Sequence, residues 1–391
     1  MGDELKRRIA LLKDELINFR REFHKNPELS FQEYQTTKKI AVYLTELGLE
    51  VKIGNRGIGV AADLKGTKPG PTVALRADID ALPIYEESDK DYVSKISGVM
   101  HACGHDGHTA ALMITAKILS EYKNDLHGGI RFLFQPAEEK SPGGAIDIIN
   151  QGYLDNVDYI YGLHLWSLLP VGQFQTAYGP MMANADKFEI KIKGKGGHAG
   201  LPHEASDSLL AAANIIVNAQ HIVSRKLDPL SPGVLTFGKI NAGSNFNVIA
   251  NDAQLEGTVR TLDENSKTVI KEWLEKTIDH TCKIHGVEYD FIYENGYPTV
   301  HNHLTETEYL INTAKTVFGE NNVNLMKPIM AGEDFSYYLQ KVPGAFCLVG
   351  AGNKEKGIIY PHHHPRFDID EEALPLAVEL LCKTALNYLT K

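Results

Sequence analysis

Cysteine is scarce in this chain: four residues in 391, at positions 103, 282, 347 and 382. They are too few and too scattered for a disulfide framework, and a reduced, cytoplasmic protein is the expectation. Long apolar runs are missing too. No stretch approaches the ~20 residues that a membrane-spanning helix needs, so no membrane partner is expected. The first 21 residues are charged throughout and hold no apolar core of the secretory-signal kind. Basic clusters are lacking: Lys and Arg number 40 against 50 Asp and Glu, for a net charge of −10. Phosphate binding needs gathered cations, so nucleic acid is excluded as an expected partner. Neither a P-loop nor a Gly-x-Gly-x-x-Gly turn occurs, and nucleotide chemistry has no foothold. Internal repeats and low-complexity segments are absent as well.

What is present is a chain long enough for two domains, 43% hydrophobic and 23% charged. Leu5, Ile9, Leu12, Leu16, Phe19 and Phe23 recur at spacings of three and four, which predicts one helix over the first 23 residues. Pro27 breaks it. Ser30-Phe-Gln-Glu33 reads as a capping box for a helix that Gly48 closes. Short strands follow at 51–53, 59–64, 72–75, 130–134 and 159–163, with helices at 109–122 and 144–151 between them. Such alternation predicts an α/β fold with a mostly parallel sheet. Ligands bind beyond the carboxyl ends of strands in such sheets, where Asp78, Asp80, Glu138, Glu139 and His164 fall.

After Pro180 the order becomes β-α-β-β-α-β, the ferredoxin-like unit. It predicts an inserted domain over 183–298. The first domain comprises 1–182 and 299–391, resuming with a helix at 305–318, a strand at 345–350 and a final helix at 371–389.

The densest chemistry lies in Met100-His-Ala-Cys-Gly-His-Asp-Gly-His108. Three histidines, a cysteine and an aspartate share nine residues, at what reads as the turn opening a helix. Cys103, His105, Glu139, His164 and one histidine of the 362–364 run make a donor set suited to Zn²⁺, Mn²⁺ or Co²⁺. Five protein donors exceed the three that one open catalytic zinc uses, so a two-metal site with a bridging ligand fits better. In Glu138-Glu139 one carboxylate can ligate while the other acts as base, which predicts hydrolysis.

These residues resemble the di-metal aminoacylases and carboxypeptidases, nearest the amidohydrolase branch with hippurate hydrolases, auxin-conjugate hydrolases and N-acetyl-diaminopimelate deacetylases. The marks run nearly end to end: Arg21-Glu-Phe-His-Lys-Asn-Pro-Glu-Leu-Ser30, Arg76-Ala-Asp-Ile-Asp-Ala-Leu-Pro83, Met100 to His108, Gln135-Pro-Ala-Glu-Glu139, Gly162-Leu-His164, Gly196-Gly-His-Ala-Gly200, Gly332-Glu-Asp-Phe335 and His363-His-Pro-Arg-Phe367. The resemblance implies a catalytic domain of zinc-peptidase type with a ferredoxin-like lid and dimerisation domain. It implies two divalent ions (Zn, Mn, Co or Ni) held by Cys103, His105, Glu139, His164 and His363, with His362 and His364 as alternatives for the last. Glu138 matches the general base. His198 matches a histidine that polarises the scissile carbonyl, in some relatives from the other subunit of a homodimer. Asn247 and Arg260 match positions suited to a substrate carboxylate. Asp80 matches an aspartate near the metals where other branches carry His-x-Asp; here Asp78 replaces that histidine. The implied reaction is hydrolysis of N-acyl amino acids. A dipeptidase or carboxypeptidase using the same site is the rival, and a non-catalytic binding protein on this fold a further one.

Overall fold

The computed structural model describes residues 2–390. The chain divides into two compact units. One runs to Gly179 and takes in His301–Lys327 and the residues from Asp334 onward. The other is Pro180–Val300 with Pro328–Glu333. Against the expected 183–298, the second unit is slightly wider and recovers a short later segment.

The first unit is built on an eight-stranded sheet. Its order is Glu50–Ile53, Val60–Lys65, His127–Gln135, Lys68–Asp78, Tyr159–Pro170, Gly344–Gly352, Phe174–Thr176 and Val323–Leu325. The four central strands run parallel, and antiparallel pairs flank them. Strand Gly344–Gly352 is buried at every position, as a strand covered on both faces must be. Asp78 pairs with Gln135 and Arg76 with Gly162. Three neighbouring strands therefore bring Asp78, the 135–139 turn and His164 to the same side of the sheet. Strand Tyr159–Pro170 continues well past the expected 159–163, so His164 lies within a strand rather than beyond it.

Helix His105–Glu121 has buried residues almost all round, because helices Lys13–Lys25 and Ala373–Leu389 and the sheet enclose it. Gly104 precedes it at φ +90°, a conformation that a side chain would strain. A Cβ on Gly107 would stand 2.6 Å from Leu165 Cδ1, so the helix start lies tight against the strand that carries His164.

Two local expectations fail. The first helix is broken at Leu12 into Gly2–Leu11 and Lys13–Lys25, though Leu5, Ile9, Leu16 and Phe23 still face one core. Ser30 caps no helix. Helix Tyr34–Glu46 starts at Glu33 without a side-chain cap, and the Ser30 hydroxyl donates instead to Asp80 Oδ2 at 2.7 Å.

The second unit carries a four-stranded antiparallel sheet in the order Gly233–Ala242, Asp252–Thr261, Asp186–Lys193, Glu288–Glu294. Helices Ser208–Arg225 and Glu264–His285 pack on it and on each other, giving the predicted β-α-β-β-α-β order. Asp207 and Asp263 cap these helices with their carboxylates.

Candidate metal centre

Two groups of three donors share one atom. Cys103, His105 and Glu139 lie within 4.8 Å of one another, as do Cys103, His164 and His362. Each histidine is aimed by its other nitrogen. His105 Nδ1 lies 3.0 Å from the Asp80 carbonyl and 3.2 Å from Asp80 Oδ1. His164 Nδ1 lies 3.0 Å from the Leu165 carbonyl. In both, Nδ1 is taken up by these oxygens and Nε2 is the nitrogen left to face a metal, the arrangement in which imidazole binds metal. His164 Nε2 points at Cys103 Sγ, 3.4 Å away. His105 Nε2 is buried and has no hydrogen-bond partner.

Electrostatics distinguish the members of the cluster. Burial, then the charges of Glu139, Glu138 and Asp78, push the Cys103 thiol well up. For His105, burial favours the neutral form, but Asp78, Asp80 and Glu139 outweigh it and hold the ring up to about 10. Burial keeps His164 well below the usual histidine range, with His108 and His362 adding to it. An orphaned imidazole nitrogen, a thiol pressed by carboxylates and a neutral histidine are what a divalent cation would resolve. The donor set fits such ions.

Of the histidine run, His364 stacks on Tyr360 at 4.4 Å, and its Nδ1 accepts the Arg366 N–H. His363 reaches Glu139 Oε1 with Nε2 at 3.1 Å, and this bond raises its pKa. His362 turns inward, its Nε2 3.1 Å from the Leu165 carbonyl, and burial lowers it to about 4.

The support beneath the cluster was largely unforeseen. Asp80 receives His105, Ser30 and the N–H of Glu139 (3.0 Å). Glu33, fully buried, accepts the N–H of Ala137 at 2.8 Å. Ala137 sits at φ +53°, a costly conformation for a residue with a side chain, immediately before Glu138. Glu138 itself is buried. His108, although in the metal-binding motif, has both nitrogens engaged, at Asp78 Oδ1 (2.5 Å) and the Leu165 N–H (2.8 Å). Asp78 is held in turn by Arg76 at 2.7 Å, and Arg76 also meets Gln135 and Asp334, both at 2.9 Å. Both oxygens of Asp78 are therefore engaged, Oδ1 by His108 and Oδ2 by Arg76. Behind the motif, Asp106 joins Arg20 (3.0 Å) and His24 (2.8 Å), and Arg20 extends to Asp368 and Glu371. Asp106, His108 and His24 all lie in the quoted motifs, the one signal that marked them.

On the second unit, His198 is exposed on the short strand Gly197–His198, which pairs with Val248–Ile249. Asn247 adjoins that partner strand, its carbonyl accepting the Ala199 N–H at 3.1 Å. His198 Nδ1 accepts the Gly200 N–H at 2.9 Å, leaving Nε2 as the protonated nitrogen. Arg260 is on a different strand, partly buried, with Nη1 3.5 Å from the Asn184 carbonyl. Burial lowers its pKa.

The chain is similar to known proteins. The chain is 46% identical over 302 residues to an N-acyl-L-amino acid amidohydrolase of Geobacillus stearothermophilus, covering 77% of this chain and 81% of that one. It is 40% identical to thermostable carboxypeptidase 2 of Saccharolobus solfataricus over 100% of this chain and 99% of the other. The solved structure of the YXEP protein of Bacillus subtilis, described as a dinuclear metal binding peptidase, superposes with a TM-score of 0.83 at 36% identity, covering 97% of this chain and 98% of that one. Residues 74–387 match the description peptidase family M20/M25/M40, and the chain belongs to that family.

Proposed function

We propose that this protein hydrolyses the amide bond of N-acyl amino acids, releasing a carboxylic acid and a free amino acid, at a centre for two divalent ions drawn from Zn²⁺, Mn²⁺, Co²⁺ and Ni²⁺. The observation that carries the reading is the position of Cys103 in both three-donor groups, with Glu138 next to the donor Glu139. Cys103, His105, Glu139, His164 and His363 would hold the ions. His363 is the donor that the resemblance implies, and its Nε2 reaches Glu139 Oε1; His362, which lies with Cys103 and His164 in one three-donor group, is the alternative. When bound, the ions supply Lewis-acid polarisation of the acyl carbonyl and a water that ionises near neutral pH.

The protein's own groups do the rest. Glu138 takes the proton of the attacking water and gives it to the leaving nitrogen. His198 donates from Nε2 to the developing oxyanion. Asn247 and Arg260 take the substrate carboxylate, a bidentate task suited to a guanidinium. The second unit serves as lid and dimerisation domain of a homodimer. Four free, buried cysteines suit a reducing, cytoplasmic setting.

The Saccharolobus carboxypeptidase supports a second reading, in which the same centre cleaves peptides. The test is turnover of N-acyl amino acids and dipeptides by metal-stripped protein reloaded with each ion in turn. Cleavage of N-acyl amino acids is the expected result. Activity confined to dipeptides, with a requirement for a free α-amino group, would select the second reading. Glu138→Ala should keep its metal and lose on the order of 10²–10⁴ in kcat. Retained turnover would refute its role as base.

A further inference from the structure

Strand Tyr159–Pro170 does not end at its donor histidine. From Leu165 onward the strand alternates: Leu165, Ser167 and Leu169 are buried, while Trp166 is partly exposed and Leu168 is 59% exposed. Side chains two apart share a face, so Trp166 lies on the side of His164; the strand bulges between Trp166 and Pro170, and Leu168 is the exposed side chain of that bulge. The Trp166 ring lies edge-on to His164 at 5.4 Å and over His362 at 4.3 Å. An apolar strip thus begins at the metal donors with Trp166 and continues to Leu168. An indole and a leucine left open to solvent beside a polar cluster suit an apolar ligand group.

We infer that Trp166 and Leu168 bind the acyl group of the substrate and make this enzyme select aromatic or long-chain acyl groups over acetyl. The inference rests on the proposed hydrolysis of N-acyl amino acids. Such a substrate has two arms at the scissile amide. The amino-acid arm carries a carboxylate, which Glu138 and Glu139 repel and the strip cannot solvate. The acyl arm is uncharged and fits a surface of indole and alkyl carbon. An acetyl group is too short to reach past the first ring. A benzoyl or octanoyl group covers Trp166, and the longer chain reaches Leu168.

The experiment compares N-acetyl, N-benzoyl and N-octanoyl derivatives of one amino acid with wild type, Trp166→Ala and Leu168→Ser, each checked for metal content. A second readout uses Trp273→Phe, which leaves Trp166 as the one tryptophan of the two in the chain. Its emission is followed on titration with N-benzoylglycine or N-acetylglycine.

Wild type should favour the benzoyl and octanoyl substrates. Trp166→Ala should lose at least tenfold in kcat/KM on both, and Leu168→Ser should lose mainly on octanoyl. N-acetyl turnover should stay within threefold. N-benzoylglycine should quench Trp166 emission, and N-acetylglycine should not. If turnover proceeds but Trp166→Ala lowers all three substrates equally, or none, the acyl strip is wrong and the proposed hydrolysis stands. If no N-acyl amino acid is cleaved yet N-benzoylglycine still quenches Trp166, the hydrolysis is wrong and the apolar strip stands. Absence of both turnover and quenching overturns both.

Discussion

Glu33 offers a measurement that probes the turn before Glu138 without touching a metal donor. Its carboxyl is fully buried, one oxygen accepts the Ala137 N–H, and the other has no hydrogen-bond partner. Burial, reinforced by the charge of Asp80, pushes its pKa from 4.5 up to about 8. The folded protein therefore keeps Glu33 protonated where the unfolded chain ionises it. Stability from this group is complete below pH 4.5 and is lost as pH rises through 8. At ~1.4 kcal/mol for each pH unit, the loss across that window totals about 5 kcal/mol. Glu33→Gln preserves an oxygen for the Ala137 N–H and removes the ionisation. The variant should match wild type near pH 4.5 and gain on it steadily to pH 8. For a chain of this length the gain is on the order of 6 °C in Tm. Thermal melting of both proteins from pH 4.5 to 9, at fixed metal, reads the difference directly. A Tm difference that stays flat with pH would refute the reasoning. Glu33→Gln should also keep its kcat within a few-fold, whereas Glu33→Ala, which frees the Ala137 N–H, should lose kcat with metal content unchanged.

Other outcomes follow from the same structure. Cys103→Ser should bind less metal, by at least tenfold in affinity, because Cys103 belongs to both donor groups; equal metal content by mass spectrometry would refute its assignment. His363→Ala should cost metal and turnover, with His362→Ala weaker in both; the reverse order would move the fifth donor to His362. Arg20→Ala removes the buried guanidinium that Asp106, Asp368 and Glu371 share and should cost ~3–5 kcal/mol in denaturant unfolding. Chelation should lower Tm by an amount set by affinity, about 2.7 kcal/mol at a hundredfold excess of metal over Kd, and an unchanged Tm would speak against a site in the folded protein.

The sequence was most legible where chemistry is packed into short runs. Cys103 and His105 are two apart, and Glu138 and Glu139 adjacent, so a turn was enough to assemble them. The central strands were legible because their apolar runs are compact and end in polar groups. The supporting bonds were not, since they join positions far apart in the chain. Arg20 and Asp106 are 86 residues apart, and Glu33 and Ala137 are 104 apart. No periodicity reports such pairings. Ser30 shows a local rule losing to a distant partner: a capping pattern was present, but Asp80 took the hydroxyl. The histidine run offered three donors, with His363 favoured by the resemblance, and the ring of Tyr360 and the Arg366 N–H both engage His364.

The main chain of one residue orders much of the centre. The carbonyl of Leu165 meets His164 and His362, and its N–H meets His108. Three imidazoles are thus oriented by main-chain atoms that no side-chain substitution deletes. An alanine scan would pass over position 165 as ordinary core, recording a packing loss and no catalytic role. The group becomes visible only when the backbone is edited. An amide-to-ester exchange at Leu165 would remove the N–H that His108 accepts and leave the leucine side chain in place. In a centre organised this way, the list of residues that matter for function is longer than the list mutagenesis can find.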